Sequence, residues 1–365
     1  MKTIANIFRT YGPQYIERFE ADMPGNHRKV INAIMNCRTD AYGINFYQCD
    51  KCEEKHRVFR SCGNRHCPAC QNHKTKEWLQ KQMDRQLPGH HFMITFTVPE
   101  ELRDVMRRNQ RITYDTLFKT SSDAIKKLAA DERFIGGDLP GFFGVLHTWG
   151  RTMNYHPHIH YIVPGGAISK CDSRWHPSDP SFYVPNRALS EIFKAKFRDT
   201  LKKENLFDFV PAQVWNKDWN VNIQPVGDSE HSIGYLAPYV FKVAITDSRI
   251  VEVREEKVTF RYKKGKSTRW RKMTLSAMEF IRRFLQNVLP TGFMKVRYFG
   301  FLHPGSSVSL KKVRALIELS MGFFVDTPER EIIVPDNPHC SSCGGNLVYL
   351  YSILPHEMTA IFNTG

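Results

Sequence analysis

Six cysteines crowd into 34 residues of this chain: Cys37, Cys49, Cys52, Cys62, Cys67 and Cys70. A segment that dense in thiols cannot be an ordinary packed core. It is stapled either by disulfides or by metal. The first residues, Met1 to Ala5, run quickly into Arg9, Glu17, Arg18, Glu20 and Asp22, so no apolar export segment is expected. Without export, the clustering predicts metal ligation. Cys49-x2-Cys52 and Cys67-x2-Cys70, fourteen residues apart, predict a zinc ribbon. Each tight knuckle offers two thiolates to one tetrahedral Zn²⁺, which supplies the stability that so small a core lacks. Cys37, Cys62 and His66 are candidates for a second zinc site, with His56 and His73 also nearby. The plainer reading of each extra cysteine is a small buried hydrophobe. Far downstream, Cys340-x2-Cys343 is half a site, which His339 or a distant residue would complete.

The rest of the chain is ordinary enough to fold conventionally. Its 365 residues suit two or three domains, and 41% hydrophobic content supplies a core. No stretch reaches the roughly 18 uncharged apolar residues of a membrane span, so a soluble intracellular protein is expected. The formal charge of +15 points to a polyanionic partner, most simply nucleic acid. Arg57, Arg60, Arg65 and Lys74 lie among the candidate zinc ligands, where they suit a phosphate backbone.

Periodicity predicts helices within residues 1–35, broken at Pro24-Gly25, and over 73–86, 100–132, 187–204, 235–243 and 277–288. Strands are predicted at 91–98, 144–149 and 158–163, and a hairpin across 250–275. In the third strand, His158-Ile159-His160 places two imidazoles on one face, one pleat apart, where they can hold one divalent metal. Ile159, Tyr161 and Val163 would face a core. Tyr235 and Tyr239, four residues apart, would share a face if both were helical, but Pro238 suits only a first turn, so the helix is expected to start near Ala237 with Tyr235 just outside it. An aromatic stripe in a core is the plainer reading of that pair. Beside a metal-bound phosphate, however, a tyrosine becomes a nucleophile able to conserve bond energy in a phosphotyrosyl link. The hairpin carries Arg261, Lys263, Lys264, Lys266, Arg269, Arg271 and Lys272, with Tyr262 and Trp270 interleaved and no acid, a composition that can track phosphates and stack bases.

Taken in order, these motifs resemble the rolling-circle transposases of the insertion-sequence-ninety-one family, within the HUH single-strand endonucleases. The resemblance rests on Cys37-Arg38-Thr39, on Ser61-Cys62-Gly63-Asn64-Arg65-His66-Cys67-Pro68-Ala69-Cys70-Gln71, and on Phe96-Thr97-Val98-Pro99. It continues through His147-Thr148-Trp149-Gly150-Arg151, His156-Pro157-His158-Ile159-His160, Tyr235-Leu236-Ala237-Pro238-Tyr239 and Glu279 to Leu285.

The resemblance implies an α+β fold: an HUH endonuclease domain, with a central antiparallel sheet flanked by helices, behind an N-terminal helical and zinc-binding domain. Boundaries at 1–86, 87–290 and 291–365 follow. It implies Mg²⁺ or Mn²⁺ on His158 and His160, and attack by Tyr235 or Tyr239 on single-stranded DNA at element ends, leaving a 5′-phosphotyrosine and a 3′-hydroxyl. It also implies structural Zn²⁺ in a DNA-recognising domain, and a cytoplasmic, nucleoid-associated bacterial protein. A third ligand for the catalytic metal is unmarked. His91, His147 and His156 are candidates; His91 and His147 would lie on strands neighbouring the motif, and of the three His147 is preferred. A replication initiator or relaxase would use the same chemistry. A non-catalytic zinc-ribbon regulator would leave the histidine and tyrosine pairs without a role.

Overall fold

The structure, a computed structural model, describes residues 2–70, 78–83, 85, 87–227, 244–265, 267–322, 324 and 338–357. In chain order, α1 (Ile4–Phe19), α2 (Gly25–Met35), β1 (Ile44–Cys49) and β2 (Lys55–Phe59) come first. Then follow β3 (His91–Thr97), α3 (Arg103–Arg108), α4 (Gln110–Ala129), β4 (Phe142–Trp149), β5 (Tyr155–Pro164), β6 (Gly166–Ile168), β7 (Trp175–Pro177), α5 (Asn186–Lys203) and β8 (Asn220–Pro225). The chain continues with β9 (Ile250–Arg254), β10 (Lys257–Lys263), β11 (Trp270–Ser276), α6 (Ala277–Leu285), β12 (Val296–Phe299), α7 (Leu310–Met321) and β13 (Leu347–Ile353). The fold is α+β. The expected helix at 235–243, with Tyr235 and Tyr239, lies outside the described residues, as does much of the one at 73–86.

Two compact units emerge. One draws on Met1–Lys74, Phe241–Val288 and Glu329–Gly365, the other on Thr75–Val240 and Leu289–Pro328. The linear boundaries 1–86, 87–290 and 291–365 therefore cut across both. The basic meander β9–β10–β11 groups with the N-terminal helices because Phe260 of β10 packs on Phe280 of α6, and Phe284 of α6 packs on Phe8 of α1.

In the second unit, five strands form an antiparallel sheet in the order β12-β4-β5-β3-β8. One face is fully dry. Ile159, Tyr161 and Val163 of β5 share it with Phe92, Ile94 and Phe96 of β3, beneath Leu117 and Phe118 of α4 and Phe193 and Phe197 of α5. At roughly 1.5–3 kcal/mol per buried large side chain, this layer holds the sheet's register. Two hydroxyl pairs satisfy its polar atoms: Tyr161 with Ser121 at 2.7 Å, and Tyr155 with Tyr114 at 2.7 Å. The expected single helix over 100–132 is instead a short turn, α3 and α4, interrupted at Asn109, whose φ of −123° is not helical.

β5 is a central strand that contains a proline. Pro157 is tolerated because it falls where the β4–β5 register slips between His147 and Trp149, and where β3 has already ended opposite His158.

In the first unit, β13-β1-β2 and β11-β10-β9 form two antiparallel three-stranded sheets. β13 pairs with β1 along its whole length, Cys49 standing opposite Leu347 and Ile44 opposite Ile353.

Candidate functional site

The pleat directs alternate residues of β5 to opposite faces, so His156, His158 and His160 all leave the dry face. His147 of β4 stands directly opposite His158. The three rings of His147, His158 and His160 lie 4.8–5.2 Å apart between centroids, and one nitrogen from each falls within 4.8 Å of the others. His147 is buried, and the other two are half-buried.

Hydrogen bonds prepare two of these rings for a metal. His158 donates Nδ1–H to the carbonyl of His156 at 2.7 Å, which leaves its Nε2 lone pair available. His160 Nδ1 lies 2.9 Å from the Thr95 hydroxyl on β3. Burial drives both rings toward the neutral form, which is the ligating one. His158 is held well below the usual imidazole range, by burial first and then by the His160 charge. His160 is pulled down to about 4, mainly by burial.

His156 is different. The Arg103 guanidinium, always a donor, gives a hydrogen bond to its Nδ1 at 3.0 Å. The neutral ring then carries its proton on Nε2, which makes His156 a donor rather than a ligand. His91 sits opposite Pro164, at the other end of β5 from His158, and faces the Gly89 carbonyl at 3.1 Å. Of the three candidates for a third ligand, the geometry gathers only His147 with the pair. Trp149 stacks on His147, and the Lys295 ammonium lies 4.6 Å over the Trp149 ring. Thr95, Arg103 and Lys295 were not among the expected site residues, because nothing local marks a threonine, arginine or lysine that the fold brings near a distant histidine.

The cysteines form two clusters. Cys37, Cys62, Cys67 and Cys70 converge in one, and Cys49, Cys52, Cys340 and Cys343 in the other. The expected single ribbon of Cys49 and Cys52 with Cys67 and Cys70 is thus corrected, since each knuckle finds partners elsewhere. The reason is β-pairing: β13 on β1 carries Cys340 and Cys343 to the first knuckle. In the other cluster, α2 ends just before Cys37, which stands within 3.5 Å of Cys70, as does Cys62. His66 is not among these converging ligands; its backbone N–H binds the Asn64 side chain at 2.9 Å. These sulfur separations far exceed a disulfide's ~2.05 Å. They approach the ~3.8 Å edge of a thiolate tetrahedron built on ~2.3 Å zinc–sulfur bonds. Burial pushes the Cys37 thiol up to about 11, and the neighbouring Cys62 side chain is the first of the causes that raise Cys67. A bound cation favours the thiolate form that ligation needs.

The basic meander presents Arg261, Lys264, Arg269, Arg271 and Lys272 to solvent, with Lys263 half-buried. Arg261 and Lys263 both approach the half-exposed Trp270 ring, at 4.8 and 5.0 Å. Lys266 lies outside the described residues. Arg282 and Arg283 both hold Glu279.

Comparison with known proteins places the chain. A family described as "Transposase zinc-binding domain" matches residues 7–98, and one described as "Putative transposase" matches residues 141–309. Putative transposase y4qJ of Sinorhizobium fredii is 35% identical over 319 residues, 82% of this chain and 80% of that protein. The transposase for insertion sequence element IS801 of Pseudomonas savastanoi pv. phaseolicola is 26% identical over 356 residues, 89% of this chain and 83% of that protein. The chain belongs to the insertion-sequence-ninety-one family of transposases. As a transposase it is a DNA-binding enzyme that cleaves and transfers strands, and it carries a zinc-binding domain. No solved structure gives a significant match. No helix among the described residues is long and apolar enough to cross a membrane.

Proposed function

We propose that this transposase nicks and rejoins single-stranded DNA at the ends of its element, through a 5′-phosphotyrosine intermediate in rolling-circle transposition. The observation that carries the reading is the convergence of His147, His158 and His160 on one face of a rigid five-stranded sheet. Their donor set, three imidazoles, can hold a divalent ion, and of the two ions proposed Mn²⁺ accepts nitrogen ligands more readily than the hard, oxygen-preferring Mg²⁺. When bound, such an ion would neutralise charge on the scissile phosphate.

The chain's own residues do the rest. Tyr235 or Tyr239 supplies the attacking phenol oxygen. The phenol gives up its proton to solvent as its oxygen bonds to phosphorus, the bond from phosphorus to the 3′ oxygen breaks, and that oxygen takes up a proton from solvent to leave as the 3′-hydroxyl. The second tyrosine allows a second cleavage before the first is resolved. Arg103 against His156 and Lys295 over Trp149 supply positive charge for the incoming backbone. Arg261 and Lys263 beside the half-exposed Trp270 offer a second contact, in which bases stack on the indole. Cys37, Cys62, Cys67 and Cys70, all within the matched zinc-binding region, hold a structural Zn²⁺.

The test incubates the protein with single-stranded element-end DNA and Mn²⁺, then looks for a covalent adduct on a denaturing gel. Wild type gives the adduct, His158→Ala/His160→Ala reduces it by about 10³-fold or more, and Tyr235→Phe/Tyr239→Phe gives none. An adduct that survives the tyrosine double substitution would sink the mechanism.

A further inference from the structure

We propose that Cys49, Cys52, Cys340 and Cys343 form a second zinc site, distinct from the one inside the matched zinc-binding region, that fastens the C-terminal strand β13 onto β1. Two of its four ligands lie beyond residue 98, where the zinc-binding match ends, so the matched domain alone cannot complete it.

The geometry is that of a built site. Sulfur separations are 3.4 Å for Cys49 and Cys343 and 3.6 Å for Cys52 and Cys340. Each C-x2-C turn closes in the manner of a zinc knuckle. Lys51 N–H points at Cys49 Sγ and Gly345 N–H at Cys343 Sγ, both at 3.4 Å. Such N–H···S bonds stabilise thiolates. The two knuckles also grip each other. Asn346 donates its backbone N–H to Asp50 at 2.8 Å, and Asp50 N–H returns to the Asn346 carbonyl at 3.0 Å.

Space at the junction is fully used. A Cβ on Gly345 would lie 2.7 Å from both Cys49 Sγ and Asp50 Oδ1, so only glycine admits this approach. Cys49 and Cys340 are buried with Leu347 against Tyr47, which closes one side of the cluster.

A competing set shares one ligand: Glu54, His56 and Cys340. Four thiolates are softer and suit Zn²⁺ better than a mixed set with an exposed carboxylate. His56 Nε2 stands 3.2 Å from Cys340 Sγ. There it donates a hydrogen bond that offsets the net negative charge of a four-thiolate zinc centre. The four thiols lose their protons to solvent as the ion binds.

Native mass spectrometry of the full chain, purified with zinc and no chelator, tests this. In a His158→Ala/His160→Ala background, where the imidazole triad cannot take up zinc, the parent chain and Cys171→Ser should each carry two zinc ions, and Cys340→Ser/Cys343→Ser should carry one. His56→Ala should keep two. A parent chain with a single zinc, a cysteine double variant that still holds two, or a His56→Ala protein that loses one would each overturn the proposal. If the double variant does not fold, timed alkylation of zinc-loaded wild type decides. Cys49, Cys52, Cys340 and Cys343 should be protected together and become reactive together on chelation, while exposed Cys171 reacts throughout. Labelling of Cys340 and Cys343 at the rate of Cys171 would refute the site.

Discussion

Thr95 is the single residue whose importance is least visible in the linear chain and most direct in the fold. Its hydroxyl meets His160 Nδ1 and fixes how that ring presents its other nitrogen. Thr95→Val keeps the β-branched shape and removes the hydroxyl. It should weaken Mn²⁺ activation by about 10–100-fold, the usual cost of deleting a partner behind a metal-binding imidazole. A Mn²⁺ titration of nicking should show the higher metal requirement with little change at saturation. An unshifted titration would mean that Thr95 orients nothing.

His156 and His158 differ in the same physical way. Both rings sit on one face, but Arg103 donates to one while the other donates to a carbonyl. The His158-Ile159-His160 pair was legible from alternation alone. The exclusion of His156 was not, because the proton on a ring nitrogen depends on a neighbour 53 positions away.

Among the elements, the strands were the most readable, because β-branched and aromatic runs ending at Pro99 and Gly150 announce themselves locally. The expected strand at 91–98 forms as His91–Thr97, and the expected helix at 187–204 as Asn186–Lys203. What local pattern missed is how closely elements approach. Gly144 on β4 faces the Tyr161 ring, and a Cβ there would fall 2.4 Å from it. Gly144→Ala should destabilise the sheet by about 1–3 kcal/mol through overpacking. Urea unfolding followed by tryptophan fluorescence would measure it, and an unchanged midpoint would contradict the packing described.

In α6, Ser276 caps the first turn, and Glu279 accepts hydrogen bonds from Arg282 at 2.5 Å and Arg283 at 2.7 Å. Arg282 beside it, helped by Arg283, pulls the Glu279 carboxyl down to about 2. Because the folded value is depressed, the stabilisation is present at neutral pH and fades as pH falls from about 4.5 toward 2. Glu279→Gln should therefore cost on the order of 1 kcal/mol at pH 7, with the difference from wild type closing in acid. Thermal melts across that range would reveal the closure, and a pH-independent penalty would rule out the ion pairs as its source.

Across the chain, the two compact units place their metal chemistry differently. The four-cysteine clusters belong to one unit, and the histidine triad stands on the five-stranded sheet of the other. Removing zinc with a strong chelator should lower the melting of the cysteine-bearing unit by ~10 °C or more, because metal affinity there is folding energy. The sheet unit should melt unchanged. Calorimetry with and without chelator, with hydrogen exchange to assign each transition, would test this, and a uniform loss of protection in both units would disprove it.

The division between the readable and the hidden follows from range. Composition, the C-x2-C turns and the alternation around His158 were sufficient for a basic, metal-binding protein of helices and strands, because those signals are local, while the α+β transposase reading came from the resemblance that the ordered motifs carry. The partner of each knuckle was not readable. Cys52 meets Cys340 across 288 positions of sequence, and His160 meets Thr95 across 65. Those pairings exist only because strands align with one another, and in the five-stranded sheet the register of that alignment is set by the side chains buried on its dry face.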